Sequence, residues 1–319
     1  MKRLLTRLVA VIPVIPVIFV IFVASGSLAQ TTIVADVREA ISRNDLKAAD
    51  DLLAKFRKDR GTTPEALEAL SWLGRGALAA RDNDHAVRYS QETRRLVVAM
   101  LANRSLDADR SLPVALGAAI ETEAKAMAAS GQRASAVLFL QQQRETYRAT
   151  SIRARIQKNI HLLSLEGQPA PALTASEHLG SPMPDTKGRP VLLFFWAHWC
   201  PDCKAEAPII AELQAAYRAQ GLIVIGPTRR YGYVAGGKDA TPAVELAYIE
   251  QVRQQYYGMI KDMAVPVSDE DALGYGMDAT PTLVLIDRQG KVALYHPGRM
   301  TREELEPPVK VLVAASAKR

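Results

Sequence analysis

The sequence predicts an all-α domain of helical hairpins followed by an α/β domain, a central mixed sheet flanked by helices. Three observations carry this reading. Residues 33–165 keep a helical period in an Ala-, Leu-, Arg-, Glu- and Gln-rich composition. The stretch from Glu166 to Pro190, dense in Pro, Gly and Ser, interrupts that period. Continuous apolar runs suited to buried strands then follow. A chain of 319 residues is long enough for two globular units, and the bounds read as 30–165 and 166–319.

Ahead of both lies a targeting segment, residues 1–29. "MKRLLTR" is a basic start, "LVAVIPVIPVIFVIFVA" an uncharged apolar run, and Ser27 and Ala29 the small residues of a cleavage site. An uncleaved anchor is the alternative, although Pro13 and Pro16 interrupt the run. Either way the body of the protein is expected outside the cytoplasm, in the periplasm or an equivalent space. The formal charge is +6, and Lys2, Arg3 and Arg7 supply three of those charges. The remaining excess is spread among interspersed signs. With no basic run carrying aromatics, nucleic-acid binding is not expected.

In the helical region, polar breaks at Asn44, Asn83 and Gly131 are each followed by a small residue (Ala48, Ala86, Ala134) and an amphipathic stretch. A polar turn followed by an alanine where two helices cross is how helical-hairpin repeats are built, and the region resembles degenerate tetratricopeptide hairpins. The breaks are unevenly spaced, so a plain bundle fits the same pattern.

Beyond the junction the elements read in order. "VLLFFW" is a strand buried on both faces, "DCKAEAPIIAELQAAYRAQG" a helix ending at Gly221, and "LIVIG" a second buried strand. "RRYGYVAGGKDATP" is a long surface loop, either lining a partner groove or an insertion without a role. "TPAVELAYIEQVRQQYYGM" is a helix with Thr241 as N-cap and Pro242 at its first position. "VPVS" is extended, and "DEDALGYGMD" lacks calcium-loop spacing and reads as a short helix. "TLVLIDRQGKVALYH" is a hairpin turning at Arg288–Gly290, and the chain closes on a helix that Pro307 and Pro308 should kink or delay. The order β-α-β-α-β-β-α gives a mixed sheet with helices on both faces.

The chain holds two cysteines, Cys200 and Cys203, in "FFWAHWCPDCKAEAP". A redox dithiol, half of a metal site and a chance pair of buried thiols are the options. In an exported protein stray thiols are costly, and a two-residue loop constrains little of the unfolded chain. Zinc needs about four ligands. None of the five histidines stands in ligand spacing to another, so no metal is expected. A cycling dithiol needs one thiol exposed and ionised and a second near enough to resolve a mixed disulfide. A cysteine where a strand gives way to a helix has its thiolate stabilised by unsatisfied amides and the positive helix end. Cys200 is therefore the expected nucleophile and Cys203, one turn on, the resolving thiol. Pro201 suits the first turn because no amide hydrogen is needed there. His198 reads as an exposed loop histidine, with titration beside the thiolate as the alternative.

These motifs, with "MDATPTLVLIDRQGKVALYHPG", resemble the thioredoxin fold and, within it, the exported TlpA/ResA-like thiol–disulfide oxidoreductases, over roughly Gly167 to Lys318. The resemblance implies that Trp199 is the aromatic before the nucleophile, that Pro208 is the helix-kinking proline, and that Thr280 and a cis Pro281 lie against the sulfurs. It implies further that Glu206, three residues after Cys203, tunes the thiol and accepts its proton, replacing the buried Asp that cytosolic thioredoxins carry where Phe194 stands here. The competing reading of Glu206 is a solvated carboxylate paired with Lys204 or Arg218.

Asp202 departs from commoner versions of the motif. An anion beside Cys203 opposes thiolate formation and favours the disulfide, which leans toward a reductant. As an alternative, Asp202 is an exposed carboxylate at the helix start. The implied activity is protein disulfide oxidoreduction with no cofactor beyond the Cys200–Cys203 pair. The partners are client proteins carrying disulfides or thiols (apocytochrome thiols, a copper-site assembly protein, misfolded disulfides), an electron-donating membrane thiol protein, and proteins docking through the helical domain. A helical adaptor whose second half is only a binding platform is the rival reading. A thiol peroxidase is disfavoured because no Pro-x-x-x-Thr-x-x-Cys loop surrounds Cys200.

Overall fold

The structure, a computed structural model, describes residues 32–314; the expected targeting segment lies outside the described residues. Residues 33–314 form one compact unit. Helices α1 (Ile33–Ser42), α2 (Leu46–Arg60), α3 (Pro64–Ala79), α4 (Asn83–Met100), α5 (Ser111–Ala129), α6 (Arg133–Thr146) and α7 (Arg153–Ser164) fill the first part. Three α-hairpins share one turn geometry. Asn44, Arg81 and Gly131 each sit in the left-handed region, with φ of 59°, 61° and 82°. In each, the next amide reaches back to the preceding helix: Asp45 to Ala40, Asp82 to Ala77, Gln132 to Met127.

The alanines at the hairpin crossings are corrected in register. Ala86 is fully buried as expected, but Ala134 is exposed and Ala48 only half-buried; Ala49 and Ala136 occupy the core instead. The reason lies in the helix starts. Asp45, Asp82 and Gln132 are the N-caps, and the buried alanine falls four residues after each, where one helical turn brings it over the preceding helix.

The second part holds β1 (His178–Gly180), β2 (Val191–Phe195), α8 (Pro201–Tyr217), β3 (Ile223–Ile225), a small hairpin β4 (Tyr233–Val234) and β5 (Lys238–Asp239), α9 (Pro242–Val252), β6 (Ala264–Pro266), α10 (Asp269–Gly274), β7 (Thr282–Ile286), β8 (Val292–Pro297) and α11 (Arg302–Ala314). The main sheet has the order β1-β6-β3-β2-β7-β8. Strands β2, β3 and β6 run parallel, and β1, β7 and β8 pair antiparallel to their neighbours. β2 is buried along its length, and its side chains alternate between two cores. Leu192 and Phe194 pack with α8, α9 and α11, whereas Val191, Leu193 and Phe195 pack with α10 and with Leu165 just past α7. The helical part thus helps to close the second face of the sheet. His161 on α7 stacks edge-on against Tyr295 at 5.3 Å and hydrogen-bonds Gly274 O at 2.8 Å.

Two further expectations change. β1, inside a stretch read as loop, pairs with β6 at the sheet edge. Pro307 and Pro308 do not delay the last helix, which starts at Arg302 and runs through both. Pro307 is exposed, so the carbonyls left without helical partners meet water, while Leu305, Val309 and Leu312 hold the opposite face in the core.

Candidate active site

The apolar run of β2 ends at Phe195, and the loop that follows is stitched to the segment after β3. Trp196 Nε1 donates to Gly226 O at 2.9 Å, Trp196 N to Pro227 O at 3.1 Å, and Thr228 Oγ1 to Trp196 O at 2.7 Å. This fixes the point where α8 begins. Cys200 is its N-cap, and its Sγ accepts from Cys203 N at 3.0 Å. The two cysteines are joined as a disulfide with Cα atoms 5.4 Å apart. The peptide bond Thr280–Pro281 is cis, and Thr280 O lies 3.5 Å from Cys200 Sγ. A thiolate formed at Cys200 would inherit the Cys203 amide and the positive end of α8.

The expectation of an exposed first thiol is corrected: Cys200 is 1% exposed and Cys203 fully buried. With its Sγ drawn against the Cys203 amide and the Thr280 carbonyl, Cys200 is packed in the core of this half. Trp199, the neighbour of Cys200, is 44% exposed, and Pro201 and Asp202 are exposed as well. Arg299 stands 3.7 Å from Asp202, so a cation partly offsets the anion at the helix start.

Glu206 is fully buried, with neither Lys204 nor Arg218 as its partner. One turn from Cys203 on the same helix, its Oε1 accepts from Met300 N at 3.0 Å, while Oε2 has no protein hydrogen-bond partner. Burial pushes its pKa up to about 7, against the opposing pull of the Met300 amide and Arg299. A carboxyl that titrates near neutrality can take and return a proton under physiological conditions.

His198 overturns its sequence reading. It is 1% exposed, and Nε2 lies 3.1 Å from Oε1 of Glu245, itself 1% exposed. Burial lowers the imidazole pKa, and the hydrogen bond to Glu245 works against that. Tyr231, Tyr233 and Tyr248 present their rings edge-on to the imidazole at 5.3–5.4 Å. Tyr231 and Tyr233 belong to the loop read either as lining a partner groove or as an insertion without a role, whereas Glu245 and Tyr248 carry no sequence expectation. The available signal was Glu245 itself, which shares the buried stripe of α9 with Ile249 and Val252 at i, i+4 and i+7. Among the described residues, no group of three or more His, Cys, Asp or Glu side chains could hold a metal ion.

Residues 185–310 match the family model described as a thioredoxin-like domain. The thiol-disulfide oxidoreductase ResA of Bacillus thuringiensis is 30% identical over 146 residues, covering 45% of this chain and 76% of its own length. The chain belongs to the TlpA/ResA/DsbE family of thiol–disulfide oxidoreductases. The family's thiol:disulfide interchange protein DsbE of Xylella fastidiosa is 28% identical over 155 residues, 47% of this chain and 71% of that protein. A crystal structure of a thiol:disulfide interchange protein from Chlorobium tepidum is 20% identical, covers 46% of this chain and 99% of the other, and has a TM-score of 0.34. The family model begins beyond α7, so the helical hairpins lie outside its span.

Proposed function

We propose that the protein is an exported disulfide reductase acting on client proteins through the Cys200–Cys203 pair. The observation that carries this reading is Cys200 at the N-cap of α8, its Sγ on the Cys203 amide and beside the Thr280 carbonyl. In the reduced protein, the Cys200 thiolate attacks one sulfur of a client disulfide. A mixed disulfide forms, and the other client sulfur leaves as a thiolate. Cys203 then gives its proton to Glu206 and attacks Cys200 Sγ. The client is released with both sulfurs reduced, having gained the two electrons that the Cys200–Cys203 pair loses on closing its disulfide. A thiol-bearing donor at the membrane returns two electrons and two protons to close the cycle. The apolar run after a basic start supports export, and Asp202 supports the reducing direction.

The test is reduction of insulin by dithiothreitol with catalytic protein. Wild type should accelerate it, Cys200→Ser should abolish the acceleration, and Cys203→Ser should accumulate a mixed disulfide. Equal rates for wild type and Cys200→Ser would favour the adaptor. Fractionation of cells producing the full chain tests export; recovery with cytoplasmic markers would sink that part.

A further inference from the structure

The loop between β3 and α9 is tied to the cysteine motif through one buried carboxylate. Glu245 accepts three hydrogen bonds: from the amide of Tyr231 at 2.5 Å, from the amide of Gly232 at 2.8 Å, and from His198 Nε2 at 3.1 Å. Two of these come from the loop, and the third comes from a residue two positions before Cys200. The loop closes on itself through Ala240 N to Gly232 O at 3.0 Å and the β4–β5 pairing. Its Tyr231 ring lies edge-on to His198 at 5.4 Å and to the half-exposed Trp199 at 5.5 Å. Arg229 stacks over the same tyrosine at 4.6 Å. A buried carboxylate with three donors is costly to leave unpaired, so loop and motif are held in one arrangement.

We propose that Glu245 is a positioning residue for client binding. Through His198 and the Tyr231–Gly232 amides it clamps the loop against the cysteine motif and sets Tyr231 beside Trp199 as an aromatic rim. That rim receives the extended polypeptide segment around the client's disulfide. The occupant follows from continuity with the redox centre, because Trp199 directly precedes Cys200 and is 44% exposed, within reach of a polypeptide bonded to that sulfur. Aromatic rings at the surface suit apolar side chains flanking a client cysteine. Holding the rim in place removes an ordering cost at each encounter. This rests on the oxidoreductase reading above and assigns its client-contact surface.

The test separates binding from sulfur chemistry. Glu245→Ala and Tyr231→Ala should each raise the KM for insulin about tenfold with kcat held within about twofold. The reduction potential, measured in dithiothreitol redox buffer, should stay at the wild-type value. Glu245→Gln keeps an acceptor for the loop amides and should recover part of the KM. Tyr231→Ala keeps the backbone amide that donates to Glu245 and both side chains of the Glu245–His198 pair, so it reads the rim even if Glu245→Ala fails to fold. An unchanged KM in Tyr231→Ala, or a shifted potential in Glu245→Gln, overturns the positioning role. Failure of reduced wild type to react with either insulin or 5,5′-dithiobis(2-nitrobenzoate) overturns the oxidoreductase reading beneath it. Reaction with the small disulfide while neither substitution moves the insulin KM removes the positioning role alone.

Discussion

The amide of Met300 donates to Oε1 of Glu206 at 3.0 Å, and Oε2 is left buried with no protein partner. One satisfied oxygen and one unsatisfied oxygen suit a neutral carboxyl better than a charged one. Met300 lies in the turn between β8 and α11, so the acid is held by an element far from the cysteines in sequence.

Glu206 should therefore impose a pH dependence on both stability and rate. Its folded pKa is raised to about 7 from an ordinary value of 4.5. Between those values the folded state holds a proton that the unfolded state has released. Stability must fall as pH rises through that window and level off above about 7. The span is on the order of 3 kcal/mol if the whole shift is realised. Urea midpoints from pH 4.5 to 8 should show this slope in wild type and not in Glu206→Gln. Insulin reduction should lose the limb with apparent pKa near 7 in the variant. Parallel curves for the two proteins in both measurements would remove Glu206 from proton handling.

Much of the sulfur chemistry was legible because it is local. A continuous apolar run, a three-residue step and a cysteine at a helix start sit within a few residues of one another, and the strand and helix periods mark their edges. Glu245 and His198 are 47 residues apart, and the burial of His198 depends on three tyrosines spread over the loop and α9. No local pattern could show that pairing. β1 was hidden for a different reason: His178–Gly180 is three residues long at a sheet edge, with Leu179 its one apolar side chain, too short to show a period. Ala48 and Ala134 lie out of register because the N-caps Asp45 and Gln132, one residue past the polar breaks, set where each helix turns over its neighbour.

Asp202 and Arg299 should tune the potential in opposite directions. Asp202 disfavours a thiolate and so favours the disulfide; Arg299, 3.7 Å away, offsets that charge. Asp202→Asn should raise the reduction potential, and Arg299→Ala should lower it. Asp202 is 61% exposed, so each change should be roughly 10 mV and shrink in high salt. Equilibration with glutathione at low and high ionic strength measures both. Shifts of the same sign in the two variants would contradict the electrostatic account.

Gly276 should be the most sensitive joint between the helical hairpins and the redox half. Its φ is +65°, and a Cβ there would fall 2.8 Å from Lys158 Cα and 2.9 Å from Gln157 C, both backbone atoms of α7. Neither the left-handed conformation nor the contact can be relieved by a side-chain rotation. Gly276→Ala should therefore cost more than about 2 kcal/mol. Beside it, Lys158 Nζ pairs with Asp278 at 2.7 Å and lies 3.7 Å from Glu121, with the lysine side chain only 13% exposed. Lys158→Ala should cost about 1 kcal/mol, more than a surface pair, because it leaves two partly buried carboxylates without that cation. Asp278 stands two residues before Thr280, whose carbonyl lies against Cys200 Sγ, so loosening this joint should also slow insulin reduction. Urea unfolding and turnover measured on the same samples check the pair of effects. If Gly276→Ala matches wild type in both, α7 does not brace the loop that meets the cysteines.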